Sequence, residues 1–314
     1  MPYYLGIDGG GTKTTCAVGD ESQILATATA GPSNIVRVGE VQARESLQRC
    51  VRQACAASGI TPLEVSHTCV GGSGAARAEM AAIVRSILAE LLVTPIDVVG
   101  DMEIALEAAV GGGAGVIVIA GTGSIAYGRD ARGTTARAGG WGFAIGDEGS
   151  AHWIGREAVS ALLRESDVTG EVEQTRMAVQ NAFAASLLKA WGVTSILDLA
   201  RAANSVPPPD FAALFPAVAA SDDPLAEGVL TEAGKELAHV AAIVVHRLFP
   251  AGEKASIQVA MTGGVFRHAA RVREIFSDEL QKMEPRVDVR SDVVEPVEGA
   301  LRMARRAASK SRLP

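Results

Sequence analysis

Apolar residues recur along this chain in two rhythms. Short unbroken apolar runs, closed by glycine, alternate with longer stretches whose apolar residues fall three and four apart. Residues 3–7 and 14–18 read as strands flanking a glycine turn. Leu47, Cys50, Val51, Ala54 and Cys55 stand at i, i+3, i+4, i+7 and i+8, which predicts a helix over 40–58. Residues 65–70 are strand-like and stop at the glycines 71–74. Met80, Ile83, Val84, Ile87, Leu88 and Leu91 share one face of a helix expected over 75–92. A short buried strand follows at 96–99, then a short helix at 102–110.

From residue 115 the pattern restarts. A strand at 115–119 enters AGTGS, and a second strand runs to Asp130. The segment GGTKTTCAVGD at 10–20 aligns with AGTGSIAYGRD at 120–130 at a constant offset of 110 residues, Thr12 on Thr122 and Asp20 on Asp130. Both have the form strand, Gly-Thr turn, strand, closing Asp, which reads either as an internal repeat or as two ordinary glycine hairpins. The glycines 111–113 read as a hinge or crossing between the halves. Beyond them come helices expected at 151–164, 172–191 and 225–248, a Pro-rich loop at 207–209, and a strand at 256–261 that runs into Thr262-Gly263-Gly264. The last helix is expected at 298–308. Its basic end (Arg302, Arg305, Arg306, Lys310, Arg312) reads as a solubilising tail.

Composition narrows the class. The chain has 314 residues, 48% hydrophobic and 21% charged, enough for about two globular domains. A net charge of -7 argues against a protein that mainly binds nucleic acid. The four cysteines (Cys16, Cys50, Cys55 and Cys69) form no C-x-x-C pair, so a reducing compartment is expected. No signal segment and no run long enough to span a bilayer is visible. A cytoplasmic protein is the expectation.

The chemistry sits where glycine is dense. In Asp8-Gly9-Gly10-Gly11-Thr12-Lys13-Thr14, glycines between two strands let backbone N–H groups approach an anion. Asp8, at the end of its strand, suits a hydrated Mg²⁺ beside phosphate. Gly121-Thr122-Gly123-Ser124 repeats the device, and two such turns are what clasping a polyphosphate requires. Either turn alone also reads as an ordinary tight hairpin. Asp101, at the mouth of the strand 96–99, reads as a helix N-cap or as an acceptor for a substrate hydroxyl's proton. The segment GGWGFAIGDEGS at 139–150 holds Trp141, Asp147 and Glu148 in glycine-rich backbone, which suits a polar ring such as a sugar; it also reads as a loop before a helix capped by Ser150. Asn34 reads as a turn residue, and Gly263-Gly264 as a weak adenosine contact. The five histidines show no metal-ligand spacing.

These motifs, in this order, resemble the sugar-kinase, heat-shock-chaperone and actin superfamily. Within it they resemble the BadF/BadG/BcrA/BcrD ATPase family on its N-acetylglucosamine kinase branch. The resemblance rests on LGIDGGGTKT (5–14), GPSN (31–34), GD (100–101), VIVIAGTGS (116–124), GGWGFAIGDEGSAHWIG (139–155) and TGGVF (262–266). It implies an α/β protein of two actin-like (ribonuclease H-like) domains with a central cleft, a duplicated fold, divided as 1–114 plus 298–314 and 115–297. It implies ATP and Mg²⁺ as cofactors and transfer of phosphate to an amino sugar, N-acetylglucosamine or glucosamine, at the 6-hydroxyl. Asp8, Gly10, Gly11, Thr12, Lys13, Gly121, Thr122, Gly123, Gly263 and Gly264 would serve the nucleotide, with Asp8 at the metal. Asn34, Asp101, Gly140, Trp141, Gly142, Phe143, Ala144 and Asp147 would hold the sugar, with Asp101 as catalytic base. A homodimer is the family's implication, and neither nucleic acid nor membrane is an expected partner. Animal N-acetylglucosamine kinases tend to carry His where this chain has Phe143. The alternative is an ATPase activator of the related 2-hydroxyacyl-CoA dehydratase type, although those activators hold an iron–sulfur cluster through a cysteine pattern that this chain lacks; kinases for N-acetylmuramate or glucose stand beside it.

Overall fold

A computed structural model describes residues 2–72, 74–75, 77–169, 181–250 and 256–310. The chain divides into two compact units, Met1–Ile117 with Val294–Pro314, and Val118–Val293.

The first unit is built on strands β1 (Tyr3–Gly9), β2 (Thr14–Gly19), β3 (Ile24–Ala30), β4 (Val65–Gly72) and β5 (Ile96–Gly100), in the sheet order β3-β2-β1-β4-β5. β1 runs antiparallel to β2 and parallel to β4, and β4 runs parallel to β5. The parallel pairs need crossovers, supplied by α1 (Ile35–Ala57) and α2 (Ala78–Ala89); α3 (Asp101–Val110) follows β5. The α1 face read from the sequence is the buried one: Leu47, Cys50, Val51, Ala54 and Cys55 are each at most 1% exposed. Such burial stabilises by roughly 1.5–3 kcal/mol for each large aliphatic side chain. The helix starts earlier than the periodicity predicts, because the Asn34 side chain caps it by accepting from Val36 N and Arg37 N. It then kinks at Gly39 (φ 77°). Conversely, α2 spans only Ala78–Ala89 of the expected 75–92.

The second sheet repeats the plan with β6 (Gly115–Ala120), β7 (Ser124–Arg129) and β8 (Thr135–Gly139). Helices α4 (Ala151–Thr169), α5 (Ala182–Trp191), α6 (Ile196–Ala203), α7 (Phe215–Ala219) and α8 (Pro224–Leu248) follow. Then come β9 (Ile257–Thr262), α9 (Gly264–His268), α10 (Ala270–Met283) and β10 (Val287–Val293). Its order, β8-β7-β6-β9-β10, is the order of the first sheet with each strand replaced by its counterpart. The fold is therefore duplicated, as the 110-residue offset implies. Asp20 Oδ1 accepts from Ser22 N and Gln23 N, and Asp130 Oδ1 accepts from Arg132 N and Thr134 N. The aligned aspartates thus tie equivalent hairpins. The part of the expected 172–191 helix before residue 181 lies outside the described residues.

The last helix, α11 (Pro296–Lys310), packs on the first sheet opposite α1 and α2. There Val297, Ala300, Leu301 and Ala304 join Tyr4, Ala17, Cys69 and Ile104 in a core. A Cβ at Gly299 would overlap Ile104 O, so only glycine allows α11 and α3 this approach. The basic residues here are not a solvated tail. Arg305 donates to Asp20 O and Gln23 O, Arg302 to Glu107 O and Ala108 O, and Arg306 makes a two-pronged ion pair with Glu107. Arg312 lies outside the described residues. Among the described residues no single helix is long and apolar enough to cross a membrane.

Candidate functional site

In the first unit the parallel strands β1, β4 and β5 deliver their C-terminal ends to one edge, the usual place for a ligand in an α/β sheet. Asp8 sits there, opposite Thr15 on β2 and Gly71 on β4. The turn beyond it is closed by Gly10 N donating to Lys13 O (3.0 Å), leaving Thr12 and Lys13 exposed. The GPSN segment is strapped to this turn. Ser33 N donates to Gly10 O (3.1 Å), and Thr14 Oγ1 lies 2.7 Å from Ser33 Oγ and 2.8 Å from Gly31 O. A Cβ at Gly9 would come within 2.9 Å of Ser33 Oγ, so the strap depends on that glycine. Asn34 is thereby fixed beside the turn, with its Oδ1 spent on the α1 cap and its amide nitrogen not used by it. Arg37, one turn into α1, brings Nη1 to 3.4 Å from where a Gly11 Cβ would stand. No sequence motif singled Arg37 out.

Asp101 opens α3 at the same edge. The cap reading holds only in part, because Asp101 is the first residue of α3 and not its N-cap. Gly100 is the N-cap, and Gly100 N donates to Glu103 Oε1 (3.0 Å). The Asp101 carboxylate accepts from Met102 N (2.9 Å) and stays half-buried at the strand mouth.

In the second unit the turn at Gly121–Ser124 docks on the start of α4. Ala151 N donates to Gly121 O (2.8 Å) and Ser124 Oγ donates to Glu148 O (2.7 Å). Ser150 caps α4 as expected, its Oγ accepting from Trp153 N. Asp147 ties turn to loop. Its carboxylate accepts from Gly142 N (3.2 Å) and Ser124 N, and a Cβ at Gly123 would come within 2.7 Å of its Oδ2. Burial raises the Asp147 carboxyl above its ordinary value, against the two N–H donors, which favour the ionised form. Asp147 also has φ 61°, in the left-handed region that few residues other than glycine adopt. A Cβ at Gly140 would press on Ile125 at 2.7 Å. Between these anchors Trp141 and Phe143 stand 67% and 53% exposed, with Ala144 exposed beside them. The Arg137 guanidinium covers Trp141 at 5.1 Å, and Phe143 rests 5.1 Å from His152, itself edge-on to Phe211. Burial, then Arg156, depresses the His152 pKa, which favours the neutral ring. Gly263 closes β9 with φ 106° where a Cβ would overlap Ala120 O. Gly264 has open space beside it.

Among the described residues no group of three or more His, Cys, Asp or Glu could hold a metal alone. Mg²⁺ bound with a nucleotide needs only one or two carboxylates, because phosphates and waters complete its shell, and Asp8, half-buried at the end of β1, would be one such carboxylate. The four cysteines are buried core residues, with burial pushing Cys55 to about 11 and Cys69 to about 12. An iron–sulfur site does not fit them.

Known proteins share this architecture. An N-acetylmuramic acid/N-acetylglucosamine kinase of Clostridium acetobutylicum is 40% identical over 173 residues, 54% of this chain and 56% of that protein's length. An N-acetyl-D-glucosamine kinase of Dictyostelium discoideum is 28% identical over 96% of this chain and 97% of its own. A crystal structure from Chromobacterium violaceum, provisionally named an N-acetylglucosamine kinase, superposes with a TM-score of 0.71 at 24% identity, covering 96% of this chain and 98% of its own. The BadF/BadG/BcrA/BcrD ATPase family matches residues 5–304, and the chain belongs to that family.

Proposed function

We propose that the chain is an ATP-dependent sugar kinase that phosphorylates an amino sugar, N-acetylglucosamine or glucosamine, at its 6-hydroxyl. The observation that carries this reading is Asp101. Glu103 takes the Gly100 N–H, and Asp101 holds a half-buried carboxylate at the end of β5, accepting from Met102 N, on the sheet edge that also bears the glycine turn. The names of the relatives from Clostridium and Dictyostelium support the same chemistry.

The backbone of Gly10–Lys13 and the Thr12 and Lys13 side chains hold phosphate oxygens, as do Gly121–Gly123 of the second unit, while Gly263 and Gly264 admit adenosine. Asp8 would hold a hydrated magnesium ion, whose chemistry is to neutralise charge on the transferring phosphates. Asn34 donates its amide to a ring hydroxyl, and Asp147 accepts from another. Trp141 and Phe143 offer apolar surface to the ring's C–H face. Asp101 accepts the proton of the 6-hydroxyl as its oxygen bonds to the γ-phosphorus. The bond from that phosphorus to the bridging oxygen breaks, and ADP leaves with the electron pair.

A coupled ADP-release assay over N-acetylglucosamine, glucosamine, N-acetylmuramate, glucose and N-acetylmannosamine tests the reading. Release is expected only with sugar present, and fastest with an amino sugar. Equal release with and without sugar would contradict it.

A further inference from the structure

The roles assigned above leave one feature of the first unit unused. A cavity of about 20 Å³ lies beneath the GPSN strap, between the ends of β1 and β4 and the first turns of α1 and α2. A single water-sized group needs about 10–15 Å³ on this scale, so the space takes one methyl-sized group and not a ring. Its walls are kept back by small residues, Gly9, Gly72 and Ala75, and completed by apolar ones such as Met80 and Val36. Ser33 is the one polar side chain among the described lining residues, and its hydroxyl is engaged with Thr14. The described side chains thus offer water few partners, whereas a methyl group needs none. Val36 is 69% exposed, so the cavity reaches the surface.

Its position matters as much as its lining. Ser33 and Val36 straddle Asn34 in sequence. Gly72 is paired with Gly100 in the β4–β5 register, one residue before Asp101 and one strand spacing, about 4.8 Å, away. The cavity thus adjoins both residues of this unit that are assigned to the sugar.

We propose that this cavity is a specificity subsite that takes a methyl-sized apolar substituent of the amino sugar. The inference rests on the sugar-kinase reading. The methyl has two possible sources, an acyl amide at C2 or the side chain of an ether at C3, and the substrates below tell them apart.

The experiment compares kcat/KM for glucosamine, N-acetylglucosamine, N-propanoylglucosamine and N-acetylmuramate in the wild type, Ala75→Leu and Met80→Ala, with circular dichroism to establish folding. One methyl in a fitted pocket is worth about 10–200-fold. Filling the cavity with Ala75→Leu should lower the N-acetylglucosamine to glucosamine ratio at least tenfold if the amide methyl enters. If the ether's methyl enters, the N-acetylmuramate to N-acetylglucosamine ratio falls instead. Met80→Ala, which enlarges the cavity and keeps the proposal testable should Ala75→Leu not fold, should raise the ratio for the longer or bulkier substituent. Ratios unchanged in the folded variants would overturn the subsite while leaving the kinase intact. A wild type that releases no ADP with any of these sugars would overturn the kinase reading, and the subsite with it.

Discussion

The Asp147 carboxylate occupies the space that any side chain at residue 123 would need: a Cβ at Gly123 would lie 2.7 Å from Asp147 Oδ2. The second Gly-Thr turn and the Trp-containing loop are thus fitted to each other through one carboxylate and one missing methyl. Gly123→Ala forces that carboxylate aside, and overpacking of this kind costs about 1–3 kcal/mol. We expect KM to rise for both ATP and sugar, since the turn and the loop move together. Steady-state kinetics with each substrate varied in turn check this; a change confined to ATP would separate the two.

Asp147→Asn keeps the shape and the acceptor oxygen but removes the charge. Because burial raises the Asp147 carboxyl, its contribution to stability is fully present below the unfolded value of about 3.9 and is lost as pH rises through the folded value. Asn has no such dependence. The variant should therefore gain on the wild type in denaturant midpoint between pH 4 and pH 7, while its KM for sugar increases. Urea titrations at the two pH values read the first effect, and sugar kinetics the second.

Two neighbouring acids on α3 should separate cleanly. Asp101→Asn should lower kcat by about 10²–10⁴-fold, the usual share of a general base, with ATP affinity little changed. Glu103→Ala removes the carboxylate that accepts from Gly100 N (3.0 Å) and should cost about 0.5–2 kcal/mol of stability with kcat retained. Kinetics and thermal melts on both variants would show the crossed pattern.

Arg306 reaches Glu107 with two nitrogens, at 2.7 and 2.9 Å. The Glu107 side chain is 4% exposed and the Arg306 side chain 42%. Removing the arginine leaves a carboxylate buried without its cation. Since Arg306 is partly solvated, Arg306→Ala should cost about 1–3 kcal/mol, below the range for a fully buried pair. Glu107→Gln in the same background should recover part of the loss, as a calorimetric double-variant comparison would show.

The sequence reveals the parts of this molecule whose pattern is local. β1, β2 and the buried face of α1 follow from apolar spacing, and the repeat follows from Thr12 on Thr122 and Asp20 on Asp130. β3, with its ILATATA alternation, and β10, with its charged VDVRSDV, lack the apolar run that marked the other strands, because one side of each faces solvent. The arginines of α11 read as a tail because their partners, Glu107 and the carbonyls at Asp20 and Gln23, are more than 190 residues away. The same distance in sequence hides the site's supports. Nothing local tells that Ser33 straps Asn34 to the glycine turn, that Glu103 takes the Gly100 N–H beside Asp101, or that His152 backs Phe143. Local sequence favoured Asn34 as a turn residue and Asp101 as a cap. Asn34 does cap α1, and Asp101 accepts one first-turn N–H of α3 without being its N-cap.

The most direct test of the central claim follows the phosphate itself. With ATP labelled at the γ-position and N-acetylglucosamine or glucosamine as acceptor, the account predicts label in a sugar 6-phosphate, in step with ADP. Label released only as inorganic phosphate, at a rate indifferent to sugar, would contradict it.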